Sequence, residues 1–242
     1  MPDGIQKVES VAGHQTHVQV KYGKTKIVFD LGTCPREAVF IDHVFITHGH
    51  MDHVACLFKH ARLRNLMARA RGPATYYIHE HYREAMEVTR KGFDLFEGGS
   101  CPMNIVYMSP GRSQNVSIAD NTQVFCFATD HRVPSLGFKV YHDDRYVLMV
   151  SGDTTMKPLL EPCHLGAEQA LMELTFIEET HREIADRTKH THLLDFLENK
   201  ETLLKYDTDY YFYHISARYD SPNKYAIIMN TLRNRRFHCN YI

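Results

Sequence analysis

The sequence predicts an α/β (α+β) domain in which two β-sheets pack face to face with helices outside both, a four-layer αββα sandwich over residues 1–242. Three observations lead there. Short apolar runs read as strands, helical stretches follow them, and this order occurs twice along the chain. A chain of 242 residues, 43% hydrophobic and 24% charged, is long enough to bury a large core. No internal repeat, linker or low-complexity tract divides it.

The elements follow in order. Between residues 8 and 29, Val18-Gln-Val20 alternates and Lys26-Ile-Val-Phe29 is a continuous apolar run, with Tyr22-Gly-Lys24 as the turn between them. Asp30 leaves the second of these strands, and Gly32 permits a sharp turn. Residues 39–47 read as the next strand and 52–71 as a helix, in which Val54, Leu57, Phe58, Ala61 and Leu66 recur at helical spacing. The opposite side of that helix carries Lys59, Arg62, Arg64, Arg69 and Arg71. Such a basic face is first of all solvated surface, and otherwise the best candidate for phosphate contacts. Gly72-Pro73 stops the helix. Residues 75–78 read as a strand and 79–96 as a helix, with further strands at 104–108, 115–118, 123–128, 137–141 and 146–150.

Charge and cysteine usage narrow the setting. With 28 Lys and Arg against 29 Asp and Glu, no global basic field attracts nucleic acid, so an RNA ligand would depend on a local basic patch and on bound metal. The six cysteines form no Cys-X-X-Cys pair, which argues against a zinc ribbon and for reduced thiols. Met1-Pro-Asp-Gly lacks the basic start and apolar run of a secretory leader, and no apolar stretch is long enough for a membrane helix. The expectation is a soluble, cytoplasmic or nuclear protein without a membrane partner.

The densest chemistry lies in Phe45-Ile-Thr-His-Gly-His-Met-Asp-His-Val54. Imidazole nitrogen and carboxylate oxygen suit zinc and similar divalent ions. Residues i and i+2 of an extended segment point the same way, so His48 and His50 can grip one ion, while Asp52 and His53 face elsewhere, toward a second. A polar turn that happens to be rich in histidine is the bland alternative. Three later segments place ligand types just past apolar strands: His131 in Thr129-Asp-His, Asp153 in Val150-Ser-Gly-Asp, and His214 in Phe212-Tyr-His. His14, His17, His43, His60, His142, His164, His181 and His238 stand outside any ligand spacing and read as solvated or hydrogen-bonded. His79-Glu-His81 mimics a metal pair, but at the start of a helix i and i+2 do not share a face.

His-X-His-X-Asp-His resembles the signature of the metallo-β-lactamase-fold hydrolases. Together with Gly13-His-Gln-Thr-His, Cys34-Pro-Arg, Ser151-Gly-Asp-Thr-Thr and His214-Ile-Ser-Ala-Arg-Tyr, the chain resembles the short, plant-like form of tRNase Z over nearly its whole length. That resemblance implies two mixed sheets and a dinuclear centre. His48, His50 and His131 would hold one ion and Asp52, His53 and His214 the other, with Asp153 shared. The ions would be zinc, with Mn2+ or Fe2+ as alternatives. Asp30 would support the histidine loop without touching metal.

The same resemblance pairs Glu173 with His190, which would protonate the leaving oxygen, leaving His192 a supporting role. Asp52, Glu173 and His190 are thus the catalytic candidates, and Arg218 and Tyr219 the substrate contacts, with ordinary packing as their alternative. The implied activity is removal of the 3′ trailer from precursor tRNA, through attack of a hydroxide held between the ions, with a homodimer as the implied assembly. No long Gly/Pro-rich arm lies between the histidine motif and His131, so any RNA exosite is expected within residues 75–105. The alternatives are a small-molecule hydrolase acting on a β-lactam, thioester or simple phosphodiester, and a non-catalytic RNA- or protein-binding relative.

Overall fold

The computed structural model describes residues 3–110, 115–118, 121–219 and 223–239. Strands β1 (Gly4–Val11), β2 (Gln15–Tyr22), β3 (Thr25–Phe29), β4 (His43–Phe45), β5 (Thr75–His79) and β6 (Asn104–Met108) form one sheet in sequence order. Its first three strands are antiparallel and the rest parallel. The second sheet runs in reverse order, from β13 (Phe237–His238) through β12 (Asp209–Tyr213), β11 (Gln169–Glu173), β10 (Arg145–Val150), β9 (Leu136–His142) and β8 (Thr122–Ala128) to β7 (Asn115–Ile118). Strands β10 to β13 pair in parallel and β7 to β10 antiparallel. Both sheets are therefore mixed, as expected.

Alternation along the strands builds three apolar layers. Val18, Val20, Ile27 and Phe29 of the first sheet meet Phe138, Leu148, Val150 and Leu171 of the second between the sheets. The opposite faces are covered separately. Helices α1 (Met51–Val54), α2 (Leu57–Met67) and α3 (Arg83–Glu97) lie on the first sheet over Val28, Val44 and Ile46. Helices α4 (Met156–Leu159), α5 (Arg182–Thr188), α6 (Leu193–Glu198), α7 (Lys200–Leu203) and α8 (Lys224–Leu232) belong to the second sheet, whose outer face buries Met149, Met172 and Phe212. The result is the αββα sandwich.

Local boundaries differ from the sequence expectation where tertiary bonds override propensity. The strand expected over 39–47 is confined to β4, because Pro35 opens a 3-10 turn over Arg36–Phe40. The helix expected over 52–71 breaks after Val54, where the Cys56 N–H donates to the Leu31 carbonyl at 2.8 Å. Residue 79 extends β5 instead of opening the next helix, which starts at Arg83. The basic face is also different. Arg64 is 2% exposed and donates to the carbonyls of Gly72, Val39 and Ile41 and to Asp42, while Arg62 pairs with Glu97 and Arg71 with Asp42. Three of the five cations are thus engaged by the protein itself. Among the described residues no helix is long and apolar enough to cross a membrane.

Candidate metal centre

The parallel strands of both sheets end on one rim, and their exits carry the candidate residues. Asp30 follows β3, His48 and His50 follow β4, Asp153 follows β10, and His214 follows β12. Two of these turns require unusual backbone. Asp30 and His214 sit in the left-handed region at φ 61° and 63°, a conformation that costs about 1–3 kcal/mol and persists where surroundings enforce it. Gly152 adopts φ 61° beside the Leu136 carbonyl, which a Cβ would approach to 2.6 Å. Only glycine lets the chain turn there and aim Asp153 inward.

At this rim two sets of ligand-type atoms converge, His48, His50 and His131 with Asp153, and Asp52, His53 and His214, and a third group, Asp153 with His190 and His214, overlaps both. His48 Nε2 lies 2.9 Å from His50 Nδ1, which lies 3.3 Å from His131 Nε2, and His53 Nε2 lies 3.2 Å from His214 Nε2. Asp153 stands between the sets, one oxygen 3.6 Å from His48 and 3.5 Å from His214, the other 3.5 Å from His53. It is 1% exposed, and its Oδ1 has no hydrogen-bond partner. A buried carboxylate oxygen without a donor is costly unless a cation meets it.

The tautomers explain why these nitrogens face one another. His53 Nδ1 donates to Asp30 at 2.8 Å, His48 Nδ1 to the Thr47 hydroxyl at 3.0 Å, His131 Nδ1 to the Lys189 carbonyl at 3.1 Å, and His214 Nδ1 to the Thr175 hydroxyl at 3.0 Å. Thr47 passes its own proton to Asp30, and Thr175 passes its proton to Glu173 at 2.6 Å. Each of these imidazoles therefore turns an Nε2 lone pair toward the cluster, the arrangement that metal-binding histidines adopt. His53 Nε2 and His214 Nε2, 3.2 Å apart, must share a proton or a cation between them. The residues present fit two divalent ions.

Electrostatics point the same way. Burial pushes His48 well below its usual pKa, and it also lowers His50 and His131. His53 is opposite: burial lowers it, but Asp153, Asp30 and Asp52 outweigh that and raise it to about 9. Burial of Asp153 is likewise overcome by His214, His53 and His48, which hold its carboxyl well below the carboxylate range. The carboxylates demand a positive charge at the centre.

Beside the cluster, His190 Nδ1 donates to Glu173 at 3.1 Å and lies 3.9 Å from Asp153. Its side chain is 14% exposed, whereas Glu173 is fully buried and also accepts the Thr154 N–H at 2.7 Å. Burial lowers the His190 pKa, but Glu173 and Asp153 raise it to about 9. His192 does not join the site. Its Nδ1 accepts the Leu194 N–H and its Nε2 donates to the Glu178 carbonyl, so it caps α6. Arg218 is exposed just past His214. Tyr219 is 6% exposed, with its hydroxyl accepting from the Ile177 N–H and bonded to His181 at 2.6 Å, so the structure uses it for packing rather than presenting it to a ligand.

Sequence reasoning missed Thr47 and Thr175, which orient ligands, and Tyr82. The Tyr82 ring packs so closely on Gly49 that a Cβ there would lie 2.8 Å away, and its hydroxyl donates to the Pro134 carbonyl at 2.7 Å. It thereby ties the His48–His50 loop to the loop carrying His131. A threonine or tyrosine carries no ligand signal in sequence, so only the fold could reveal these.

A family model described as a β-lactamase superfamily domain matches residues 30–205. The chain is 27% identical over 227 residues to the chloroplastic tRNase Z TRZ2 of Arabidopsis thaliana, covering 78% of this chain and 62% of the length of the plant protein. It is 30% identical over 133 residues to the nuclear ribonuclease Z of Triticum aestivum, covering 54% of this chain and 72% of the wheat protein. The crystal structure of human tRNase Z, short form, superposes with a TM-score of 0.70 at 17% identity, over 88% of this chain and 93% of that one, a likeness of fold.

Proposed function

The chain belongs to the β-lactamase superfamily, with relatives named tRNase Z, and from that premise we propose that it is a metal-dependent endoribonuclease removing the 3′ trailer from precursor tRNA. The observation that carries this reading is the Glu173–His190 pair beside Asp153. A small-molecule hydrolase expelling a good leaving group has no need of it. Cleavage of RNA expels an alkoxide, which needs a proton as it departs.

His48, His50 and His131 would hold one ion, Asp52, His53 and His214 the other, and Asp153 both. Two such ions, zinc in this reading, would supply Lewis acidity that activates an attacking water and neutralises charge on phosphoryl oxygens. The protein's own residues do the rest. Asp52, fixed by the Gly13 N–H at 2.8 Å, and Asp153 set where the nucleophile can stand. Glu173 fixes the His190 ring through Nδ1, leaving Nε2 to deliver a proton to the departing 3′ oxygen. The tRNA body is left with a 3′-hydroxyl and the trailer with a 5′-phosphate. Arg218, exposed and a few positions past His214 in sequence, is the substrate cation of this reading.

The test is cleavage of a 3′-extended precursor tRNA by zinc-loaded protein, beside Asp52→Ala and His190→Ala. One cut near the discriminator base, lost in Asp52→Ala and strongly slowed in His190→Ala, is the expected result. Wild-type protein that leaves the RNA intact yet hydrolyses a simple phosphodiester, thioester or lactam would overturn it.

A further inference from the structure

A cavity of about 370 Å3 adjoins the metal-ligand loop, walled by α1, α2, α3 and the ends of β4 and β5. His48 and Gly49 line it, together with Met51, Phe58, Tyr82 and Phe93. None of the 15 residues of α3 is buried, although Met86 and Phe93 turn inward from it. The helix thus presents its apolar side partly to open space. Phe58 and Phe93 stack there with ring centroids 5.2 Å apart and planes 25° apart. Met51 is 70% exposed at the mouth. Lys59 lies at the rim, exposed and with no ion pair among the described residues.

We propose that this cavity receives an unpaired nucleobase of the RNA, next to the phosphate that is cut. The inference rests on the ribonuclease function proposed for the metal centre. The cavity shares His48 and Gly49 with the loop that carries the proposed metal ligands, so it adjoins the centre where the phosphodiester would be cut. The walls match a base in kind. Aromatic and thioether surfaces take any base by its π-face, so they hold RNA without reading sequence. Lys59 supplies the cation that the next phosphate needs. The cavity also lies within the size range of ligand sites, and His48, Lys59, Tyr82 and Thr89 supply its few polar side chains.

The experiment compares intact precursor tRNA with RNAs made abasic at either nucleotide flanking the cut, using wild type and Ala85→Phe. Ala85 lines the cavity from α3, where added bulk fills space without displacing a core. With wild type, one abasic RNA should raise KM by roughly tenfold, the scale of one lost base stack. Ala85→Phe should cut intact RNA with that same raised KM and show no further loss on abasic RNA. A 2-aminopurine at the sensitive position should be quenched on binding wild type and not Ala85→Phe.

Equal KM for intact and abasic RNA, while the RNA is still cut, overturns the subsite alone. Equal further loss on both RNAs in Ala85→Phe does so too. Altered molecular mass of Ala85→Phe by light scattering would assign the cavity to an interface between copies and also overturn it. No cleavage of any RNA, with hydrolysis of bis(p-nitrophenyl) phosphate retained, overturns the ribonuclease reading and this subsite with it.

Discussion

Glu173 accepts the His190 Nδ1 proton at 3.1 Å and the Thr175 hydroxyl at 2.6 Å, so one buried carboxylate orients His190 directly and His214 through Thr175. The two dependencies separate by mutation. His190→Ala removes a largely buried imidazole that is not in either proposed ligand set, and should lower RNA cleavage by about 10^2–10^4-fold while metal content stays at the wild-type level. Glu173→Ala should lower both, because Thr175 loses its acceptor and His214 its fixed tautomer. Cleavage rates beside metal per chain, measured by elemental analysis, check this. Full metal content in Glu173→Ala would show that Thr175 holds His214 unaided.

Asp30 carries the corresponding load for the histidine loop. It accepts from His53 Nδ1, from the Thr47 hydroxyl and from the Thr47 N–H at 2.8 Å. Asp30→Ala should weaken metal binding by about 10–100-fold through loss of ligand orientation. Competition against a chelator of known affinity measures this, and undiminished affinity would show that packing alone orients His53.

These two networks mark what the sequence could reveal. His48, His50, Asp52 and His53 were legible because four ligand-type residues crowded into six positions fit a metal site far better than an ordinary surface turn, and Asp153 and His214 because each stands just past an apolar strand in a segment that resembles the tRNase Z motifs. Thr47 and Thr175 were not, since a hydroxyl becomes a relay only once its neighbours in space are known. The αββα architecture followed from the order of elements. The helix break at Cys56 did not, because it depends on a bond to Leu31, 25 positions back.

Arg64 is the clearest case of period misleading chemistry. Its position on the polar stripe of α2 argued for solvent, yet the guanidinium is buried and serves three carbonyls that have left the regular ladders. Arg64→Met should therefore destabilise the fold by about 3 kcal/mol, since buried acceptors lose their donors. Exposed Arg69→Ala should stay within about 0.5 kcal/mol. Urea unfolding of both variants decides between this buried role and a phosphate-binding one, which predicts unchanged stability and weaker RNA binding for Arg64→Met.

His17, which belongs to no ligand set, gives the fold a pH dependence. It is fully buried in β2, and burial outweighs the attraction of Glu9 and lowers its pKa from 6.5 to about 4. The unfolded chain then binds the proton more readily than the folded one between those two values, so stability rises with pH across that window. The contribution is complete above pH 6.5 and is lost as pH falls toward 4. At about 1.4 kcal/mol per unit the full window is worth about 3 kcal/mol. His17→Leu, which cannot take up a proton, should show a shallower fall in urea-unfolding stability between pH 6.5 and 4 than wild type, with the two converging or crossing toward the acid end. Parallel slopes for the two proteins would place the acid sensitivity elsewhere and leave His17 without a part in it.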